Sequence, residues 1–301
     1  MSVQGTNDDA TLSKMSCIKK GYITNDNFVQ YFVRRPTKRS PIINRGYYAR
    51  WAAIRGLILQ FLSAGKEGAN EETPKKQILS LGAGFDTVFF QLKEDGKQPH
   101  RFYEIDFLEV TSRKAGIIGA TDALRSKLGG NAVISKEQGE VTSNDYCLLP
   151  ADLRDLTALN KVLDNAGFDP SLPTLVLAEC VLIYLDPQAS RSLIKWGAQK
   201  LSTAVFIIYE QMRGCPLLGI DDTPTLRAKE ERFTEACWQR AVALNMDNIY
   251  SCHLDRDDIR RIERLEIFDE FEEWHIMQEH YCIAYGIKDQ LGILEKFGFS
   301  Q

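Results

Sequence analysis

Apolar residues early in the chain recur at helical intervals, whereas from residue 77 onward they gather into short runs. Between Ile43 and Leu62 the helical spacing predicts one long amphipathic helix, and Asp26-Asn27 stands where it would cap a shorter one over Phe28, Val29, Tyr31, Phe32 and Val33. The runs Ile78–Leu81, Phe102–Ile105, Asp145–Leu149, Thr174–Ala178 and Ala204–Tyr209 predict strands. Helical segments separate them: Thr87–Leu92, Leu108–Ile118, Leu156–Asn165 and Pro187–Leu201. Asp186-Pro187 opens the last of these, with proline where its missing N–H does no harm. Such alternation predicts a parallel sheet covered by helices on both faces. Towards the end Ile259–Leu265 reads as helix, Tyr281–Tyr285 as strand, and Ile267–Trp274 as neither. One domain over 1–301 is expected, with a helical cap at 1–75 and the sheet at 76–301.

The segment Gln77–Asp106 carries the strongest local signal. An apolar run ends in Gly82-Ala83-Gly84, a helical stretch follows, and a second run ends in Asp106, 22 residues after Gly84. Strand, glycine turn, helix, strand and acid are the parts of a nucleotide-like cradle in which the acid accepts from ribose hydroxyls. The other predicted strand tips end in Ala151-Asp152-Leu153 and Glu179-Cys180. Any one acid could be a helix cap, and Asp152 stands just before a predicted helix. Three successive acidic tips around a glycine turn instead suit adenosine, with Asp106 at the ribose, Asp152 and Leu153 at the adenine edge, and Glu179 at the far end.

Composition narrows the partners. Seven scattered cysteines without a CxxC pair fit reduced thiols, and the four histidines show no HExxH. His275 and His280, five apart, share no face on helix or strand, so no metal is expected. A net charge of −4 argues against broad nucleic-acid affinity. No run reaches membrane-span length and the first residues lack a secretory apolar centre, so a cytoplasmic or nuclear protein is expected. From Asn27 to Gly65 there is no acid but seven basic residues, among them Arg45 and Arg50 flanking Gly46-Tyr47-Tyr48-Ala49. These two are expected to point inward, at an entrance for an anionic substrate.

The cofactor choice rests on the position after the turn. A dinucleotide site wants a third small residue there; this chain has Thr87, preceded by Asp86, which would repel a pyrophosphate. S-adenosylmethionine carries an ammonium and a sulfonium but no phosphate, and is the better match.

Taken with NRGYYARWAAI (Asn44–Ile54), LGAGFDT (Leu81–Thr87), FYEIDF (Phe102–Phe107), ADLRDL (Ala151–Leu156), LAECVLIYL (Leu177–Leu185), YEQM (Tyr209–Met212) and RIERLEIFDEFEEW (Arg261–Trp274), the chain resembles the leucine carboxyl methyltransferases from about Leu12 to Tyr285. The resemblance implies a doubly wound, seven-stranded, Rossmann-like α/β sheet with a helical N-terminal cap, and S-adenosylmethionine as cofactor. It implies methyl esterification of the C-terminal leucine carboxylate of the type 2A protein phosphatase catalytic subunit, which alters assembly of that phosphatase with its regulatory subunits. Lys14, Arg50, Gly82, Asp106, Asp152, Leu153 and Glu179 would bind the cofactor, and Arg50 and Tyr184 would serve the reaction. The enzyme would act as a monomer.

One departure is visible: Met212 runs almost directly into Arg213-Gly214-Cys215-Pro216, where the family carries a longer segment over the active site. A shortened lid at 212–225 leaves open a cofactor-binding scaffold without turnover that occupies the phosphatase. Methylation of another carboxylate is also open; the branch acting on a modified tRNA base carries a further repeat domain, which is not expected after Tyr285 here. A peptide carboxylate, with a pKa of about 3.5, needs no general base, in accord with the absence of a His–Asp pair among the motifs.

Overall fold

The computed structural model describes residues 5–65, 74–212 and 217–299. Two helices come first, α1 (Gly5–Lys19) and α2 (Pro41–Ser63), with a 3-10 turn at Val29–Phe32 between them. Asp26 opens that turn, accepting from the N–H groups of Phe28 and Val29 at 2.9 and 3.2 Å. The alternating part runs β1 (Gln77–Leu81), α3 (Val88–Glu94), β2 (Arg101–Asp106), α4 (Leu108–Ala120) and α5 (Asp122–Leu128). It continues with β3 (Val133–Ser135), β4 (Glu140–Thr142), β5 (Tyr146–Pro150), α6 (Leu156–Asn165) and β6 (Thr174–Glu179). After a 3-10 turn at Leu182–Tyr184 come α7 (Pro187–Lys200), β7 (Thr203–Gln211), α8 (Leu226–Thr234) and β8 (Arg240–Asn245). The chain closes with α9 (Met246–Cys252), α10 (Arg256–Ile262), α11 (Phe271–Glu279) and β9 (Tyr281–Asp289).

The sheet order is β3-β4-β5-β2-β1-β6-β7-β9-β8. Strands β5, β2, β1, β6 and β7 are parallel, and β9 enters antiparallel between β7 and β8. The fold class is therefore doubly wound α/β as expected, but with nine strands among the described residues instead of seven. The two extra strands form the β3–β4 hairpin, three residues each, on the outer edge of β5. Their runs are too short and too exposed to leave an apolar signature. Strand β8 also escapes sequence reading, because most of its residues are only half-buried.

Successive residues of the central strand feed opposite cores: Ile78 belongs to the one shared with α2, α3 and α4, and Leu79 to the one shared with α6, α7 and α8. All five residues of β1 are buried, which is why apolar side chains fall on both of its faces with no polar-out alternation, and the buried Gln77 amide nitrogen donates to Asp169 O and the Thr174 hydroxyl.

The end of β7 is locked by charge. Glu210 is fully buried and accepts from Lys229 Nζ at 2.5 Å and Arg232 Nη2 at 2.9 Å, both from α8. Burial works to raise the Glu210 carboxyl, but Arg232 and Lys229 outweigh it and hold it below the usual range. A carboxylate depressed in the folded state contributes stability above its unfolded pKa, near 4.3, and loses it as pH falls through the folded value. Glu210→Gln strands two buried cations and is expected to cost about 3–5 kcal/mol in urea denaturation at neutral pH, with a smaller penalty in acid.

Candidate functional site

The strand order reverses at β1, between β2 and β6, and a cavity of about 860 Å³ opens beyond the carboxyl ends of these strands. Its floor is the glycine turn, where Gly82 and Gly84 have φ of +63° and +52°. A Cβ on Gly82 would stand 2.5 Å from Val181 Cγ2, and one on Gly84 would stand 2.7 Å from Asn7 Oδ1. The glycines thus serve the protein's own close packing, against the loop after β6 and against α1. Gly82→Ala is expected to cost about 1–2 kcal/mol in backbone strain alone, with the Val181 clash added. Thermal melts of Gly82→Ala and of Gly82→Ala with Val181→Ala check this: the double variant recovers the clash and not the strain.

Asp106 at the tip of β2 holds the turn in place. Its Oδ2 accepts from Gly84 N and its Oδ1 from Phe107 N, both at 2.7 Å. Burial raises the Asp106 carboxyl above its usual range, only partly offset by those two N–H groups. Each oxygen keeps lone pairs free for a ligand in the cavity.

Arg50 projects from α2 into the same cavity. Its Nε donates to Glu179 at the tip of β6, and its guanidinium lies over the rings of Tyr209 and Tyr47, 4.6 and 5.4 Å from their centroids. Its two terminal nitrogens have no hydrogen-bond partner among the described residues. Burial opposes the charge, yet Glu179 outweighs it and keeps the guanidinium firmly protonated. Tyr209 stacks on Tyr281 at 5.5 Å, extending this aromatic wall. Next to Glu179, Cys180 adopts a φ of +55°, and burial pushes its thiol up to about 11, so it is not a thiolate nucleophile. Tyr184, from the 3-10 turn that follows, is half-buried and borders the cavity.

Lys14, Gly82, Asp106, Asp152, Leu153, Glu179, Arg50 and Tyr184 all line this one hollow. Lys14, on α1, is held by the protein: its Nζ meets Asp26 at 2.9 Å, Asp86 at 3.2 Å and the Thr87 hydroxyl at 2.8 Å. Burial opposes its charge, but Asp26 and then Asp86 keep it raised well above the ordinary lysine range. Asp86 therefore does not face the ligand as a bare anion, and its repulsion of phosphate is weaker than the spacing suggested.

Asp152 does not cap the helix after it. Asp155 does, accepting from Thr157 N and Ala158 N at 3.0 Å, while Asp152 receives Arg154. Arg45 is buried as expected but turns elsewhere, with its guanidinium 3.7 Å from the Phe268 ring centroid and outside the cavity. Five residues along a helix rotate a side chain by about 140°, so Arg45 and Arg50 cannot share a target. His275 pairs with Asp247 at 2.6 Å, and no metal-ligating cluster occurs among the described residues. No helix among them is long and apolar enough to cross a membrane. Arg213–Pro216 of the shortened junction lie outside the described residues. On either side of them Met212 N donates to His280 O at 2.8 Å and Gly219 N to Ile183 O at 3.0 Å.

Sequence reading did not single out Asn7, Phe107, Gln211, Met277 or Gln278, which also border the cavity. Gln211 and Phe107 had signals to follow, at the ends of the motifs YEQM and FYEIDF; Asn7, Met277 and Gln278 arrive from remote segments.

A doubly wound sheet with an acid-tipped, glycine-floored cavity at its switch point defines the class: the chain is a methyltransferase of the α/β type. The family model described as leucine carboxyl methyltransferase matches residues 10–198. The chain is 53% identical over 316 aligned positions to leucine carboxyl methyltransferase 1 homolog of Arabidopsis thaliana, covering 100% of this chain and 93% of that protein. It is 34% identical to leucine carboxyl methyltransferase 1 of Rattus norvegicus, covering 97% and 92%. It is also 40% identical to tRNA wybutosine-synthesizing protein 4 of Homo sapiens, where it covers 94% of this chain and 43% of that protein. The chain belongs to the leucine carboxyl methyltransferase family.

The cavity suits S-adenosylmethionine on its own evidence. Arg50 beside Glu179 offers a cation and an anion side by side, the complement of an amino-acid end. Asp106 offers free acceptor capacity to a pair of hydroxyls, and Leu153 an apolar contact for a base.

Proposed function

We propose that this protein methylates the C-terminal leucine carboxylate of the type 2A protein phosphatase catalytic subunit, with S-adenosylmethionine as donor, and so influences phosphatase assembly. The observation that carries this reading is Arg50: its Nε is committed to Glu179, while its terminal nitrogens face the cavity between aromatic rings. When bound, S-adenosylmethionine supplies a methyl group already activated by a positively charged sulfur.

The chain's own residues then have to bind, orient and exclude water. Asp106, Asp152, Leu153 and Gly82 hold the nucleoside, Lys14 secures α1 over the turn, and Glu179 takes the ammonium. Arg50 and Tyr184 orient the incoming carboxylate, which is ionised at neutral pH and needs no base. Correct alignment alone can supply about 7–11 kcal/mol of the barrier. Arg50 acts on one spectator oxygen or on the donor's own carboxylate. A bidentate grip on both oxygens of the nucleophile would stabilise the ground state and slow transfer.

The 40% identity to a tRNA wybutosine-synthesizing protein favours a second reading, transfer to a carboxyl group on a modified tRNA base. Purified protein with methyl-labelled donor is offered phosphatase catalytic subunit, the same subunit lacking its last leucine, and tRNA. Label on the intact subunit alone supports the first reading, and label on tRNA supports the second. Donor binding without transfer to either points to a scaffold.

A further inference from the structure

On α11, at the far side of the cavity from the glycine turn, stands a polar side chain that the reaction as described leaves unused. Gln278 is 3% exposed and borders the cavity, and its side-chain amide has no hydrogen-bond partner among the described residues. Nε2 lies 3.5 Å from where a Cβ on Gly46 would be, an ordinary contact distance that places the amide against this turn of α2. Gly46 and Arg50 are one turn apart on the same face of α2, with Cα atoms about 6 Å from each other. A second amide stands nearby: Gln211 donates to the Tyr281 hydroxyl at 3.3 Å, but its buried Oε1 accepts from nothing among the described residues.

An unpaired buried amide is costly, and a primary carboxamide is specific in what it accepts. It presents one donor face and one acceptor oxygen side by side, the complement of a peptide group. The adenosine cradle is not its target. Gln278 lies in the last turn of α11, just before β9, which is four strands from β2, about 19 Å at the usual strand spacing. Through Gly46, one turn from Arg50 on α2, it stands instead on the part of the cavity where the carboxylate is oriented.

Resting on the proposed carboxylate substrate, we infer that Gln278 determines specificity by hydrogen-bonding a peptide group just upstream of the methylated chain terminus, with Gln211 as its companion. A free carboxylic acid offers no such group. The site thereby selects the end of a polypeptide over a small acid of the same charge, because an amide left unpaired in the closed site penalises the wrong ligand.

The test is Gln278→Met, which keeps the volume and removes the amide. Initial rates are measured on full-length phosphatase catalytic subunit, and S-adenosylhomocysteine binding is measured by calorimetry. The expected result is a KM for the phosphatase raised about tenfold or more, with kcat within about twofold and cofactor-product affinity unchanged. An unchanged KM in a working enzyme defeats the inference alone and leaves the proposed reaction standing. Weakened S-adenosylhomocysteine binding also overturns it, because the amide then serves the cofactor. Failure of the unsubstituted protein to methylate the phosphatase removes the proposed reaction and this inference together.

Discussion

Arg50→Lys is expected to lower kcat/KM about 10²–10³-fold while the protein stays folded and the pocket stays formed. A lysine keeps the charge and can still approach Glu179, so the ion pair at the tip of β6 is not abolished. What it loses is geometry. The guanidinium donates through Nε to Glu179 and presents two further nitrogens in a fixed plane, clamped between the rings of Tyr209 and Tyr47. An ammonium has no plane to clamp and one point of charge to divide between Glu179 and a substrate oxygen. Misplacement of the reacting carboxylate by about 1 Å is enough for a loss of this size. Steady-state rates on the phosphatase catalytic subunit, with a thermal melt as control for folding, measure it. Near-normal turnover with normal cofactor affinity would remove Arg50 from the site.

The second large effect belongs to Asp106→Asn, expected to weaken S-adenosylmethionine binding about 10²–10³-fold. Both carboxylate oxygens already accept a backbone N–H, from Gly84 and Phe107, each at 2.7 Å. Asparagine must turn a donor towards one of these two donors. The variant therefore loses a charge-assisted bond and leaves a buried N–H unpaired, about 3–4 kcal/mol together. The loop that moves in response is the glycine turn, so the cradle and the ribose acceptor fail at once. The unsubstituted protein should show the same dependence through pH. Because burial raises the Asp106 carboxyl, cofactor affinity should fall on acidification at a pH above the ordinary aspartate value, near 3.9. The sign for folding is opposite: a carboxyl raised in the folded state detracts from stability above its pKa and ceases to do so below it. Calorimetric titration across pH separates the two, and affinity that stays flat down to the ordinary carboxylate range would contradict the role of Asp106.

Local signals were enough to specify the unit from Gln77 to Asp106. A buried strand, a turn that needs positive φ and a strand ending in acid each leave a mark within a few residues. The same holds for Pro187–Lys200, whose cap Asp186 accepts from Ala189 N at 3.0 Å where its sequence position predicts. Asp152 and Asp155 show the limit of such marks. Both are acids at the start of one helix, and only backbone geometry determines that Asp155 caps while Asp152 turns to Arg154. Arg45 and Arg50 show it again, since a shared basic segment does not say which side of α2 meets the cavity.

Spacing along the chain thus carried the alternation of strands and helices, the glycine turn and the acids at the strand tips, because each depends on neighbours within about one helical turn. Folding in three dimensions settled the rest. Helix α11 brings Met277 and Gln278 beside Gly46, and α1 sets Asn7 against Gly84, joining segments that are hundreds or tens of residues apart. It also neutralised Asp86 with Lys14 and extended the sheet with the β3–β4 hairpin. Such contacts follow from which apolar faces bury against each other, a property of the whole packed chain that no local period records.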